Sequence, residues 1–213
     1  MIQINSKKEV SYMKIKISPG NIKMGSIPSV SLPAGVTCRK NCLCYPKCYA
    51  HKIERLRKSV REAYESNYRL LIEDPDTYWR EVNATVMLNR YFRFHVSGDI
   101  VDMDYLENMV KVAKENPHCQ ILCFTKQYEL VNEWLDNNEE GFPSNLHIIF
   151  SVWDGMECPN PHNLPEAHVR YRDGHTTARE DAYECGGNCS DCAVVECGCW
   201  VLENGEQIIF NEH

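Results

Sequence analysis

Cysteine is concentrated in two short segments of this chain, and that concentration limits its possible folds more than any other feature. The 213 residues include twelve cysteines, of which nine fall into two groups. Thiols this closely spaced bind soft metals when they are not paired as disulfides. The N-terminal cysteine loop contains Cys38, Cys42, Cys44 and Cys48, and the C-terminal cysteine group contains Cys185, Cys189, Cys192, Cys197 and Cys199.

The compartment decides between disulfides and metal. The N-terminal sequence MIQINSKKEVSYMKIKI lacks the apolar core of a signal peptide, so we expect a cytosolic protein with reduced thiols. No apolar run approaches the length of a membrane span, so no membrane partner is expected. The formal charge of −7 argues against a broad nucleic-acid-binding face.

The spacing of the N-terminal cysteine loop favours an iron–sulfur cluster over zinc. Structural zinc usually takes paired C-x2–4-C knuckles joined by a longer spacer. This loop instead reads C-x3-C-x-C-x3-C, a single compact segment that can wrap around one cluster. A loop held together by zinc, without chemistry, is the alternative. In the C-terminal cysteine group we expect an auxiliary cluster on Cys185, Cys189 and Cys192, with Cys197 or Cys199 as the fourth ligand; a zinc knuckle remains the alternative there.

Between the two groups the sequence alternates helix and strand, which predicts an α/β fold with a parallel sheet. Four or five such units are too few for a closed eight-unit barrel, so an open partial β/α barrel is predicted. The site should lie at the carboxyl edge of the strands. We expect residues 1–175 to form the barrel and residues 176–213 a cysteine-rich segment packed on it. Predicted strands cover 12–17, 90–96, 119–125, 146–153 and 168–172, and predicted helices cover 53–71, 76–89, 105–113 and 128–135.

Several short motifs follow one another along the chain. They are GNIKMG, SLPAGVTC and the Cys-Tyr-Ala that ends the N-terminal cysteine loop, followed by VSGD, CFTK and a cysteine-rich segment that runs into Trp200. Together these motifs resemble the phage gene product 88 family. The family spacing is C-x5-C-x3-C-Y-A, which Cys38, Cys44 and Cys48 match, leaving Cys42 as an additional cysteine. The resemblance covers most of the chain from Gly20 onward.

The order of motifs also resembles radical S-adenosylmethionine (SAM) enzymes. In that family three cysteines after the first strand hold a four-iron cluster, and a small-small-acidic turn after the second strand binds the SAM ammonium. Here the cysteine loop is followed by a strand that ends in Ser97, Gly98 and Asp99. The small residues permit close backbone approach, and a carboxylate suits an ammonium partner. Tyr49, next to Cys48, and Lys126 are further cofactor-binding candidates, the lysine because a cation at a strand end can meet a carboxylate or phosphate.

The radical SAM resemblance implies two 4Fe-4S clusters, SAM, an electron donor such as ferredoxin or flavodoxin, and a substrate that the sequence does not identify. The usual spacing in that family, C-x3-C-x2-C, is absent from the N-terminal cysteine loop and present at Cys185–Cys192, where too little chain follows to build a barrel. Two alternatives therefore stay open. One is a non-radical iron–sulfur electron carrier or sensor, and the other is a zinc-stabilised phage or host-interaction protein.

The remaining candidates have weaker support. Strand alternation places His95 with Arg93 on the face opposite Phe94, where it could line a pocket, although a satisfied core histidine is the more common case. Cys119 and Cys123 share one strand face and are expected to be small buried hydrophobes, with Cys158 a free thiol in a loop.

Overall fold

Seven parallel strands form one sheet in the computed structural model, which describes residues 14–39 and 41–212. The strand order is β1-β2-β3-β4-β5-β7-β6, and every neighbouring pair is parallel. The predicted α/β class with a parallel sheet is confirmed. The sheet has two ends, at β1 and β6, and curvature of the kind found in a partial barrel stays a prediction.

Helices and strands alternate through most of the described chain. The strands are β1 (Ser29–Val30), β2 (Tyr91–Phe94), β3 (Gln120–Thr125), β4 (Leu146–Ser151), β5 (Glu166–Arg170), β6 (Tyr183–Glu184) and β7 (Gln207–Asn211). The helices are α1 (Tyr49–Leu56), α2 (Lys58–Glu73), α3 (Pro75–Met87), α4 (Met103–Glu115), α5 (Tyr128–Asp136) and α6 (Cys189–Val194), with short 3₁₀ turns at Tyr45–Lys47 and Gly198–Trp200.

The sheet carries a different hydrophobic core on each face. On one face, strand residues such as Phe92, Phe94 and Phe150 pack against α2, α3, α4 and α5. On the other face, which we call the inner face, Leu122 and Ile149 pack against Trp200, Ala193 and the segment around Met24. Alternate residues of one strand thus enter different cores, as the pleat requires. The C-terminal cysteine group therefore covers the inner face of the sheet.

Two predicted elements differ from the structure, and one strand was not predicted. Residues 14–17 are not a strand, and the rest of that prediction lies outside the described residues; Ser29–Val30 form the first strand instead. The long helix predicted over 53–71 is two helices, because Arg57 adopts extended backbone between them. Residues 207–211 add strand β7 beside β5, so the sheet continues into the cysteine-rich segment.

His95 does not lie on the face that strand alternation predicted. His95 follows β2 with a φ of +59°, and this left-handed backbone turns its ring toward the helix-covered face. There its Nε2 lies 3.0 Å from the Tyr105 hydroxyl, and Cys123 lies beside the ring. His95 is 4% exposed. The pocket-lining interpretation is therefore wrong, and the core-histidine alternative is correct. Burial lowers the pKa of His95 to about 3, with a smaller contribution from the charge of Arg93.

No helix in residues 14–39 and 41–212 has both the length and the apolar character that crossing a membrane requires.

His95 predicts a specific pH dependence of stability. The unfolded chain gains a proton at this imidazole as the pH falls through about 6.5, and the folded chain does not until about 3. The free energy of unfolding should therefore fall by roughly 1.4 kcal/mol between about pH 7.5 and 5.5 through this residue. His95→Asn, which tolerates the positive φ, should remove that part of the slope in denaturant titrations. His118→Asn controls for the loss of an imidazole, and an unchanged slope in His95→Asn would contradict the assignment.

Candidate functional site

The N-terminal cysteine loop connects β1 to α1 and passes the carboxyl end of β2. Leu32 N donates to the Ser97 carbonyl at 3.0 Å, which ties the start of the connection to the turn after β2. Further along, Cys48 is the N-cap residue of α1. The loop therefore occupies the edge of the sheet where the sequence predicted the site.

The four cysteines of this loop lie close to one another. The Sγ atoms of Cys42 and Cys44 are 2.8 Å apart. Thiolate charge at Cys42 or Cys48 raises the pKa of both Cys38 and Cys44, so each of these two has both partners nearby. The loop thus places its four sulfur donors in one part of the structure.

Burial and hydrogen bonding set the protonation of these thiols. Burial raises the pKa of Cys38 to about 11, against a hydrogen bond that Gly35 N donates to its sulfur at 3.3 Å. The pKa of Cys42 falls to about 6 because the Cys44 thiol donates to its thiolate, and the pKa of Cys44 rises correspondingly. The Lys126 charge lowers the pKa of both. One proton therefore leaves this pair easily, as binding of a soft metal requires.

The predicted Ser97-Gly98-Asp99 turn lies directly against the cysteine loop. Gly98 has φ +81°, and a Cβ there would come within 2.7 Å of Thr37 Oγ1 and 2.8 Å of the Leu32 carbonyl oxygen. The next residue, Asp99, donates its backbone N–H to Thr37 Oγ1 at 3.1 Å. Glycine is thus required by both conformation and space.

Asp99 is a buried carboxylate with three internal donors. Its Oδ1 accepts from Ile100 N at 2.8 Å and from Thr125 Oγ1 at 2.6 Å, and its Oδ2 accepts from Lys126 N at 2.9 Å. Burial raises the pKa of Asp99, and these hydrogen bonds oppose the shift. The carboxylate therefore joins the carboxyl ends of β2 and β3, and also raises the pKa of Cys38 nearby.

Lys126 and Tyr49, the other two predicted cofactor-binding residues, lie at the same edge. Lys126 Nζ donates to Ser151 Oγ at 2.7 Å, beside the Cys42–Cys44 pair. The Tyr49 hydroxyl donates to the Val96 carbonyl at 2.6 Å. The structure therefore brings all five predicted residues to the cysteine loop.

Glu54 belongs to this site, and the sequence analysis missed it. Its Oε1 accepts from Ala34 N at 3.0 Å and from Ser97 Oγ at 2.5 Å, and the residue is 6% exposed. It links α1 to both the cysteine loop and the turn after β2. A glutamate within an otherwise charged helix carries no local signal of burial, so only the packing identifies it.

The C-terminal cysteine group is assembled on the inner face of the sheet. Cys189 begins α6, its N–H donates to the Lys23 carbonyl at 2.8 Å, and its carbonyl accepts from Trp200 Nε1 at 3.1 Å. The pKa of Cys192 is raised to about 11 by burial, by a hydrogen bond with Cys197, and by charge at Cys197, Cys185 or Cys189. Burial also raises the pKa of Cys199, and charge at Cys189, Cys185 or Cys192 acts in the same direction. All five thiols thus lie near one another, and both candidates for a fourth ligand are close to Cys192.

The donors of both groups fit a soft metal in their chemistry. In the described ranges, no three Cys, His, Asp or Glu side chains already surround one point as the ligands of a single ion do. Both groups nevertheless offer sulfur alone, which selects zinc or iron–sulfur clusters over hard cations. Binding would draw the thiolates into coordinating positions and release protons.

A comparison with known protein families identifies the relationship. The family described as Gene product 88 matches residues 3–199 of this chain, which includes both cysteine groups. The chain belongs to this family. It is 28% identical to the Gene 88 protein of Mycobacterium phage L5 and 26% identical to that of Mycobacterium phage D29, in each case over 57% of this chain and 56% of the relative. No solved structure matches the chain.

Membership in the gene product 88 family confirms the resemblance to that family and supports the interpretation of this chain as a phage protein. The chain covers about half the length of the two curated relatives. The radical SAM resemblance has no such match and continues to depend on the order of the motifs.

Gly98→Ala tests how tightly the turn is built against the cysteine loop. The added Cβ meets backbone as well as a side chain, at a positive φ, so the substitution should cost about 2–4 kcal/mol of unfolding free energy. Gly141→Ala is the matched control, since Gly141 has φ +68° with nothing within 4 Å, and it should cost about 1 kcal/mol. Equal costs in chemical denaturation would show that the close approach is absent.

Proposed function

We propose that this protein is an iron–sulfur protein that acts as a radical SAM-like enzyme, with one four-iron cluster at the N-terminal cysteine loop and an auxiliary cluster at the C-terminal cysteine group. The observation that carries the proposal is the contact between the cysteine loop and the turn after β2. Thr37, one residue before Cys38, accepts from Asp99 N at 3.1 Å. The two motifs that the radical SAM resemblance requires are therefore adjacent in space.

A four-iron cluster held by three cysteines would supply the electron that cleaves SAM to a 5′-deoxyadenosyl radical, which takes hydrogen from the substrate. The residues of this chain would bind and orient the cofactor. Gly98 allows the turn after β2 to lie directly against Thr37 and Leu32 of the segment that leads into the cysteine loop, and Ser97 is held in place by Glu54. Lys126 brings a positive charge beside the thiolates of Cys42 and Cys44.

Asp99 can contribute to cofactor binding through one oxygen. Its Oδ1 already accepts two hydrogen bonds, whereas its Oδ2 accepts one, from Lys126 N. A carboxylate oxygen offers two lone-pair sites, so Oδ2 retains capacity for an ammonium donor. In this proposal Asp99 both fixes the edge of the sheet and binds the cofactor.

A closed cluster is the second candidate, and a specific observation favours it. All four cysteines of the loop lie near one another, including Cys42, which the family spacing does not use. Four thiolates would complete the coordination of a cluster and leave no iron for SAM, which gives an electron carrier or sensor. A zinc-stabilised phage or host-interaction protein remains the non-catalytic alternative.

The radical proposal implies further partners. It requires a one-electron donor such as ferredoxin or flavodoxin, and a substrate that awaits identification. Reduced thiols and oxygen-sensitive clusters suit the reducing cytosol, where we expect the protein to act.

Metal analysis tests the iron–sulfur part of the proposal. Protein purified without oxygen should be brown, with iron and sulfide in equal amounts. Cys48→Ala and Cys192→Ala should each lose roughly half of the iron, because each removes a ligand from a different group. Cys158→Ala, outside both groups, is the control. Stoichiometric zinc with negligible sulfide would instead support the zinc-stabilised alternative.

The response to SAM separates the open cluster from the closed one. In the reduced protein, SAM should change the electron paramagnetic resonance spectrum, and a strong reductant should release 5′-deoxyadenosine. Cys42→Ala should retain both responses if that cysteine is the additional one, and Cys48→Ala should lose them. The closed four-cysteine cluster would be established if SAM leaves the spectrum of the reduced cluster unchanged and Cys42→Ala loses iron.

A further inference from the structure

Arg93 places a cation on the inner face of the sheet. It lies on β2, between Phe92 and Phe94, which point to the opposite face. Its guanidinium lies over the Phe124 ring, 4.8 Å from the centroid. The Nε atom is buried and has no hydrogen-bond partner among the described residues, and within that part of the chain no ion pair involves this side chain.

A partly buried cation without an anion is unfavourable, because it loses hydration without gaining a charged partner. The residues that share the inner face with Arg93 explain how the charge is compensated. Cys185, Cys189 and Cys192 pack against the same core as Phe124. The Arg93 charge opposes the rise that burial causes in the pKa of Cys189 and Cys199.

The anion required by Arg93 is supplied when these thiols bind a metal. Four thiolates carry more negative charge than one zinc ion or one four-iron core neutralises, so the loaded group stays anionic for either metal. The other arginine near this segment, Arg90, is exposed and pairs with Glu196 at 3.4 Å. Arg93 is thus the arginine on the inner face, where Phe124, Cys185, Cys189 and Cys192 pack against one core.

We propose that Arg93 is the counter-cation of the C-terminal cysteine group: it stabilises the anionic metal–thiolate assembly on the inner face and raises the reduction potential of a cluster bound there. This deepens the proposed function, but its first part requires only that the group binds a soft metal. The guanidinium acts through charge and hydrogen bonding to the thiolate side of the assembly, and not as a ligand.

Cobalt binding tests the first part without any iron chemistry. All proteins carry Cys42→Ala and Cys44→Ala in the full chain, so that thiolate-to-cobalt absorption reports the C-terminal cysteine group. Arg93→Met keeps the contact with Phe124 but removes the charge, and should weaken cobalt affinity at least tenfold. Arg93→Lys should stay within threefold of the parent, and Arg90→Met is the control for loss of a nearby arginine. If Arg93→Met does not fold by circular dichroism, Arg93→Gln replaces it.

Cobalt affinity in Arg93→Met or Arg93→Gln equal to the parent would overturn the proposal, as would an equal loss in Arg93→Lys, which would indicate a packing role. The second part is measured on iron-loaded full chain. Removing the charge should shift the one-electron equilibrium of the C-terminal centre about tenfold toward the oxidised form, which is 59 mV. An unchanged potential overturns that part. Absence of iron and sulfide together with the expected cobalt result would reject the iron–sulfur function and retain the role of Arg93.

Discussion

The buried carboxylate of Asp99 is the interaction on which the candidate site depends. It receives hydrogen bonds from Ile100, Thr125 and Lys126, while its own N–H reaches Thr37 beside the cysteine loop. Three segments far apart in sequence meet at this residue, whose side chain binds Thr125 and Lys126 and whose main chain binds Thr37. A buried charge is tolerated only when it is well hydrogen-bonded, so the surrounding backbone has little freedom to move without leaving the carboxylate unsatisfied.

Other buried polar groups extend this connection around the cysteine loop. Asn67 is fully buried, and its amide donates to the Ser31 carbonyl at 3.1 Å and to the Lys16 carbonyl at 3.0 Å. Glu54 holds Ala34 and Ser97 together. The loop that carries the thiols therefore begins from a fixed backbone. Such fixed support is what a precise binding site needs.

The two cysteine groups differ in how they relate to the sheet. The N-terminal cysteine loop lies at the carboxyl edge, where ligands of parallel α/β sheets bind. The C-terminal cysteine group covers the inner face, packed on residues such as Leu122 and Ile149. Tyr49 is near both groups, because burial raises its pKa and the charges of Arg93, Cys48 and Cys189 have smaller effects on that pKa. One cysteine group thus lies at the edge of the sheet, and the other lies on a face of the same sheet.

The sequence alone determined the α/β class, the central strands β2 to β5, most helices and the sulfur-only character of both groups. These follow from local signals: apolar periodicity, turn residues and cysteine spacing. Local signals also misled, as at His95, where a single left-handed residue reversed the direction of a side chain. The tertiary structure alone decided that Thr37 meets Asp99, that Glu54 is buried at the site and that Arg93 faces the C-terminal thiols. Those contacts join residues tens of positions apart. Strand order and packing set them, and no short window of sequence contains that information.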